Sequence, residues 1–521
     1  MSFANLCLMA PEIIAAAAVL LMVILDLLTD NKKAVALLGI IMLLGALLAN
    51  FVSIGFSIGS PIGSPIASEE IFWMYAIDAY SFFFKILILL AGIITLILAL
   101  NYNRMRNKNE GEFYFLLSSL VFALMCLVSA TDLILIYVLI EFISISSYVL
   151  VGMLKTEKSS EGALKYFLLG AVSSGIMLFG MSYVYGLSGT TNLITIGGML
   201  AAGTLQMQPL FTLGAVFILA GFCFKGGLAP FHFWAPDAYE GAPAPVTAIL
   251  SVGPKCAAFA IFGRIFYTVF PDFALLHPYL ISLIGILTMT IGNTAAIWQT
   301  DIKRLFAYSS IAQAGYIFIG IAAGSKFGFP GMLFYLMAYI FMNLGVFSVI
   351  VLMVNKTGSS KISTYAGLAR TNPFLALSFL VFVLALVGIP PTSGFLGKYF
   401  LFLGALQTKF YALALFGVLN SVISIFYYFE IVKLMYFDLA SSNEKVEVEK
   451  SIEAEKKIES ETLIEVENFI ETTNPTEVGS YNPFWMLEVS VGVCLAFTLI
   501  SGIFPETFLR FISERGIHFL K

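Results

Sequence analysis

Four ionisable side chains stand deep inside long apolar runs, each on a separate segment: Glu141, Lys225, Lys255 and Lys398. Glu141 comes nine residues after Asp132, about 13 Å into a helix rising 1.5 Å per residue. Lys225 comes nine before Trp234, Lys255 nine after Val246 and Lys398 seven after Pro391. At that depth a lysine stem does not easily carry its amine to the bilayer surface. An ionisable group inside a membrane is by default a candidate functional group. Burial makes an amine release its proton more readily than it does in water, and a nearby carboxylate opposes the release. At about 6 Å and an effective dielectric near 20 the attraction is roughly 3 kcal/mol, about a hundredfold in proton affinity. An acid that approaches and leaves a buried lysine therefore makes it load and unload a proton. A structural ion pair would absorb Glu141 and one lysine and leave two lysines unexplained.

Other charged residues are more ambiguous. Lys165 follows Glu161 by four residues near a helix start, a spacing that suits a surface pair as well as function. His232 lies in Phe231-His232-Phe233-Trp234, and histidine passes protons near neutral pH. Lys85 reads equally as a structural partner. Glu430 and Lys433, three apart, predict a salt bridge, while Asp301, Lys303 and Arg304 predict a cytoplasmic anchor.

These groups need elements to hold them. A spanning helix takes about 20 mostly apolar residues. About fourteen runs qualify: 9–28, 34–57, 77–100, 112–130, 132–153, 162–186, 209–234, 244–267, 274–297, 303–323, 329–354, 373–407, 410–437 and 483–504. The chain is therefore expected to be an all-α polytopic membrane protein. Two runs predict broken helices. The 373–407 run is 35 residues long, about 52 Å against a hydrocarbon core of about 30 Å, and carries Gly388-Ile389-Pro390-Pro391-Thr392-Ser393-Gly394 at its middle. The 209–234 run carries Gly226-Gly227-Leu228-Ala229-Pro230. Irregular backbone at membrane depth survives only against protein or a water-filled cavity. The separation of the breaks suggests two related five-helix units, as in many transporters.

Loop charges set the orientation. The loops after the first, third, fifth, ninth and eleventh runs hold Lys32, Lys33, Arg104, Arg106, Lys108, Lys155, Lys158, Lys303, Arg304, Lys356, Lys361 and Arg370. Those on the other side hold only Lys326 and Lys409. The basic side is expected to be cytoplasmic, with both termini on the opposite face, the periplasm in a bacterial inner membrane. The expected organisation is a three-helix start (1–100), five-helix units at 112–267 and 274–437, an acidic cytoplasmic insertion at 438–482, and a final helix with tail at 483–521.

Composition narrows the classes. Of 521 residues, 59% are hydrophobic and 12% charged, and mean hydropathy is +0.93. So few charges cannot cover a soluble surface. Net charge is −4, yet the stretch Ser441–Ser480 alone carries −7, leaving the rest at +3. No basic patch suits nucleic acid. The five cysteines (Cys7, Cys126, Cys223, Cys256, Cys494) include no C-x-x-C, which argues against a disulfide framework or zinc site. Three scattered histidines argue against a metal cluster. No basic residue precedes Ile13, so the first run reads as a retained helix rather than a signal peptide. Walker A, dinucleotide-binding, Fe–S and paired haem-ligand patterns are missing, so any redox centre would belong to partner chains.

Two long motifs, FKGGLAPFHFWAPDAYEGAP over Phe224–Pro243 and DIKRLFAYSSI over Asp301–Ile311, resemble the antiporter-like membrane subunits of respiratory complex I. Mrp-type cation/proton antiporters and membrane-bound hydrogenases share that wider family. The opening Ala10-Pro11-Glu12-Ile13, Asp26, and the lysine in the segment Gly388–Lys398 resemble one branch, in which a lysine stands where a sibling branch has a glutamate. The acidic insertion is longer than this resemblance leads one to expect. What the resemblance implies is fourteen helices with helices 4–8 and 9–13 as inverted repeats. It also implies roles in proton transfer for Glu141, Lys225, Lys255 and Lys398, and a lesser one for Lys165. No cofactor is then expected in this chain. Partner subunits would carry Fe–S clusters and possibly FMN, and a quinone elsewhere in the assembly would accept the electrons. Neighbouring antiporter-like and small membrane subunits, and the lipid bilayer, are the expected partners. A stand-alone or Mrp-type antiporter and a membrane scaffold with buried ion pairs are the alternatives.

Overall fold

The computed structural model describes residues 8–57, 69–71, 73–105, 109–206, 208–269, 278–324, 328–437 and 484–516. The apolar runs become helices because in lipid each backbone amide must find its partner within the segment. In chain order they are α1 (Ala10–Leu28), α2 (Lys32–Ser57), α3 (Ala79–Leu100), α4 (Glu110–Ser129), α5 (Leu133–Gly152) and α6 (Glu157–Ser188). Next come α7 (Leu193–Ala201), α8 (Pro209–Gly226), α9 (Trp234–Gly241), α10 (Ala244–Thr268), α11 (Pro278–Ala296), α12 (Ile302–Ala323) and α13 (Gly328–Thr357). The last are α14 (Leu368–Thr371), α15 (Pro373–Val387), α16 (Ser393–Gln407), α17 (Tyr411–Tyr436), α18 (Phe484–Ile503) and α19 (Pro505–Gly516). A two-stranded antiparallel hairpin, β1 (Glu69–Ile71) and β2 (Tyr75–Ile77), precedes α3.

Among the described residues thirteen helices are long and apolar enough to cross a membrane. The 373–407 run is the exception that its Gly-Pro-Pro centre predicts: it folds as α15 and α16, 15 residues each. The short α7 and the terminal α19 lie outside the sequence reading. α19 starts on a proline, whose missing amide hydrogen costs nothing at a helix's first position. The acidic insertion 438–482 and Lys326 lie outside the described residues.

Burial separates core from rim. The most apolar 18-residue stretches of α10 and α13 are wholly enclosed and that of α12 is 94% enclosed, whereas that of α1 is only 28% enclosed. The central helices are thus shielded from lipid by the protein itself, and their polar groups must satisfy one another.

Two similar latches recur along the chain. Asp132 caps α5 by accepting from the Ile134 and Leu135 amides, and forms an isolated antiparallel bridge with Asn192. Asp301 caps α12 by accepting from the Lys303 and Arg304 amides, and bridges Lys361. Both bridge partners recur 169 residues further along. A hydroxyl donates to the second carboxylate oxygen in each case, from Thr191 to Asp132 and from Ser360 to Asp301. An odd number of crossings (α5, α6, α8, α10, α11) separates the latches, so they lie at opposite ends of the bundle.

Candidate functional site

The first break is built from glycine and borrowed hydrogen bonds. α8 ends at Gly227, which adopts φ 68°, a left-handed conformation that glycine accepts without steric cost. The freed Ala229 amide donates to the Thr288 hydroxyl on α11 (2.9 Å), and the Trp234 indole donates to the Phe224 carbonyl (3.0 Å). Lys225, 5% exposed, donates to the Ser144 hydroxyl on α5 (2.6 Å). Its amine also lies 5.8 Å from the centre of the Tyr166 ring, which stacks on Trp234. A cavity just large enough for one water opens beside Lys225, lined by Leu127, Ile140, Ile143, Phe222, Pro254 and Ala258. Glu141 stands one turn before Ser144, partly buried, with carboxylate oxygen Oε1 enclosed and without a hydrogen bond. No ion pair joins it to Lys225, whose amine is taken up by Ser144.

Lys255 sits where α10 is opened by Pro254. Proline has no amide to donate, so the carbonyl four residues back is released. That carbonyl, on Leu250, accepts instead from the Tyr239 hydroxyl (2.9 Å). One residue later the Ser251 carbonyl accepts from Tyr339 (3.1 Å), and the Ser251 hydroxyl accepts from the Asn343 amide on α13. Lys255 is 1% exposed and donates to both the carbonyl and the hydroxyl of Ser310 on α12. Its stem passes the first break closely enough that a side-chain carbon on Gly227 would lie 3.7 Å from Cε.

Lys398 closes the second break. α15 ends at Gly388 with φ 94°. Lys398, 3% exposed, reaches back to donate to the unpaired last carbonyls of α15, Leu386 (2.8 Å) and Val387 (3.0 Å), and to the Ser421 hydroxyl (3.3 Å). A cation on a helix C-terminus meets the negative end of the helix dipole. The amine also sits 4.1 Å above the Tyr316 ring. Each of the three lysines is thus enclosed by protein, held by hydroxyl or carbonyl oxygen, and, among the described residues, without a carboxylate within ion-pair distance.

The remaining candidates fall elsewhere. Lys165 is in an ionic strap: it pairs with Glu161 (2.5 Å) and Asp237 (2.8 Å), Arg304 pairs with Asp237 (2.6 Å) and Glu240 (2.9 Å), and Lys158 pairs with Glu240 (2.7 Å). Burial alone would raise the Asp237 carboxyl, but hydrogen bonds from Lys165 and Arg304 hold it below its ordinary value; Lys158 and Arg304 do the same for Glu240. Lys303 donates to the carbonyls of Glu240 and Ala242, which makes the Asp301–Arg304 segment the anchor its charges predict. His232 is 3% exposed in the turn between α8 and α9, its Nδ1 without a hydrogen bond. Lys85 forms a buried pair with Glu12 (2.5 Å), which also accepts from the Tyr75 hydroxyl (2.8 Å). The expected Glu430–Lys433 bridge does not form: both side chains point outward on α17, where water or headgroups solvate them separately.

Two features escape a reading of runs and motifs. Arg264, 3% exposed, makes two hydrogen bonds to Asp78 (2.8 and 3.1 Å) and so ties α10 to the start of α3. Burial opposes ionisation of Asp78, but Arg264 outweighs it and holds the carboxyl below its ordinary value. The other is a group of fully buried tyrosines, including Tyr239, Tyr316, Tyr335, Tyr339, Tyr427 and Tyr428, around α12.

A fold of broken helices with enclosed lysines defines a class, and comparison with known proteins agrees. The profile of the family described as NADH:quinone oxidoreductase/Mrp antiporter, TM, matches residues 130–424. NADH-quinone oxidoreductase subunit N of Moorella thermoacetica is 41% identical over 439 residues, covering 83% of this chain and 89% of that one. Subunit N of Trichlorobacter lovleyi is 43% identical over 364 residues, covering 69% and 74%. The chain belongs to the NADH-quinone oxidoreductase subunit N family. Among solved structures, a chain of respiratory complex I from Thermus thermophilus aligns at TM-score 0.73 and 27% identity, covering 96% of this chain and 98% of that one. A chain of the Mrp complex from Dietzia shares the fold at TM-score 0.80 and 18% identity, over 100% and 98%.

Proposed function

We propose that this chain is a proton-translocating membrane subunit of a complex I-type NADH:quinone oxidoreductase. Protons enter from the cytoplasmic side, pass Lys225 and Lys255, and leave near Lys398, while Glu141 modulates Lys225. The observation that supports this most is the placement of three enclosed amines at two helix breaks, each held only by neutral oxygen. An amine so held can lose its proton without leaving a buried carboxylate uncompensated. His232 and Lys165 stand on the cytoplasmic side of Lys225, at the inlet of the path. Electron transfer would occur in partner subunits carrying Fe–S clusters and FMN, with a quinone as acceptor and no redox group here. Neighbouring antiporter-like and small membrane subunits are the proposed partners. The proposed location is a bacterial inner membrane, and the excess of basic residues in one set of loops supports both termini being periplasmic.

The test is proton uptake by vesicles containing the assembled complex. Lys225→Ala and Lys255→Ala should each lower proton translocation by about 10²-fold or more while assembly persists. Unchanged pumping in both variants would sink the assignment and leave a scaffold role. Co-purification with redox subunits, and pumping that needs no sodium, separate this reading from an Mrp-type antiporter.

A further inference from the structure

A gap remains in the path between Lys255 and Lys398. The two amines project from different helices, α10 and α16, and no titratable carboxylate contacts either of them. What fills the space is hydroxyl groups on four helices, α9, α12, α13 and α17. Ser310 receives the Lys255 amine (2.9 Å), and the Tyr239 and Tyr339 hydroxyls lie beside Ser310. Tyr428 of α17 shares a hydrogen bond with Ser309, the residue preceding Ser310, and lies near Tyr339 and Tyr335. Tyr335 donates to the Gln313 side-chain carbonyl, while the Gln313 amide donates to the Leu386 carbonyl (3.1 Å), the same oxygen that receives Lys398. At the far end Ser421 donates to the Tyr316 hydroxyl (3.1 Å) and itself receives the Lys398 amine (3.3 Å).

We propose that these hydroxyls are the proton relay between Lys255 and Lys398, with Tyr428 and Tyr335 at its centre and Gln313 as a positioning residue. The inference rests on the function proposed above and names the groups that carry one step of it. Apolar packing does not call for this arrangement. A fully buried phenol needs a hydrogen-bond partner, and a core served only by packing would use phenylalanine. Here Tyr335, Tyr428 and Tyr316 meet the side chains of Gln313, Ser309 and Ser421, while Tyr239 and Tyr339 donate to the carbonyls of Leu250 and Ser251.

The step balances without any redox partner. Lys255 loses a proton from Nζ to the Ser310 oxygen. Each hydroxyl in turn gains a proton on one side as it loses its own on the other, and Lys398 gains one on Nζ. Every hydroxyl ends neutral with its proton exchanged, and rotation about its C–O bond resets it. Bridging waters complete the steps from the Ser310 group to Tyr428 and from Tyr428 to the Tyr316–Ser421 pair, whose Ser421 hydroxyl hands the proton to Lys398. Gln313 cannot carry a proton this way. It fixes the Tyr335 hydroxyl and shares the Leu386 carbonyl with Lys398.

The experiment measures protons moved per quinone reduced, in vesicles holding the whole assembled complex. Tyr428→Phe should lower that ratio about tenfold, less than loss of a lysine because water partly replaces one hydroxyl. Ser309→Ala, which removes a single oxygen, should lower it in the same direction and carries the test if Tyr428→Phe fails to assemble. Tyr411→Phe, an exposed phenol on the same helix, serves as the control. A solvent deuterium effect on pumping that grows in Tyr428→Phe supports a relay, since a merely structural role would not move it. If Lys255→Ala stops pumping while Tyr428→Phe and Ser309→Ala both pump normally, the relay is wrong and the lysine path stands. If Lys255→Ala itself pumps normally, the function proposed above fails, and the relay with it.

Discussion

The two halves of the molecule begin alike and diverge one helix turn after another. Each opens on an aspartate cap latched to a distant strand-like segment, at the same 169-residue offset. Nine residues beyond the first cap stands Glu141; nine beyond the second stands Ser310. The first half therefore has a carboxylate at this position, while the second offers Lys255 a neutral hydroxyl. The halves also differ in how they are tied down. α10 is locked to α3 through Arg264 and Asp78, whereas the last helix of the second half ends with Lys433 exposed and unpaired. Matching positions in the two halves thus carry different groups, a carboxylate in one and a hydroxyl in the other.

The largest expected effect comes from removing the tie that only the first half has. Asp78→Asn leaves Arg264 buried without its counter-charge, a loss of about 3–5 kcal/mol. The complex should melt at lower temperature, and Lys433→Gln should leave melting unchanged. Equal shifts in the two variants would erase the asymmetry. Giving the second half an acid comes next. Ser310→Glu places a carboxylate by Lys255, worth about 4 kcal/mol at 4 Å and an effective dielectric of 20. The proton should then stay on Lys255 and pumping should fall several hundredfold while quinone reduction is assayed in parallel. The reciprocal change, Glu141→Ser, removes roughly 3 kcal/mol of attraction at about 6 Å. It should slow pumping by up to about a hundredfold, with Glu141→Asp restoring part of the rate.

Smallest is the pH response of the ionic strap joining α9 to both halves. Asp237 and Glu240 have depressed folded values. Their contribution is therefore complete above the ordinary carboxylate range near 4 and is lost as pH falls through the lower folded values. Partly exposed pairs of this kind are worth about 1 kcal/mol or less. Amide protection factors across Trp234–Gly241, taken relative to intrinsic exchange at each pH, should be unchanged between pH 8 and 6 and fall only in acid. Loss of protection already at pH 6 would point to His232 rather than to the strap.

Much of the frame was legible because lipid leaves the backbone few options. Apolar runs gave the helices, and Gly226-Gly227 and Gly388-Ile389-Pro390-Pro391 gave both breaks, since glycine and proline interrupt the hydrogen-bond ladder whatever packs against them. Depth along a run picked out Lys225, Lys255 and Lys398, which the structure encloses. Pairings between runs were not legible. Nothing local in Lys85 points to Glu12, or in Arg264 to Asp78, because those partners are set by tertiary contact across many residues. The tyrosines were hidden for another reason: in an apolar run a tyrosine reads as one more aromatic core residue, and only the fold shows its hydroxyl meeting another. The recurrence of Thr-Asp at 131–132 and 300–301 was the one sequence signal that could have aligned the halves and matched Ser310 to Glu141. Spacing misled at Glu430 and Lys433, where adjacency on a helix was not enough to join two solvated charges.

The amide of Ala229 finds its acceptor on Thr288, which belongs to the other half. Either half made as a separate polypeptide would present that amide to oil, where an unmet donor costs several kcal/mol. The molecule is therefore not expected to divide into two autonomous modules between α10 and α11. A gene split between α10 and α11 would yield working protein only if both fragments were co-expressed and met during insertion.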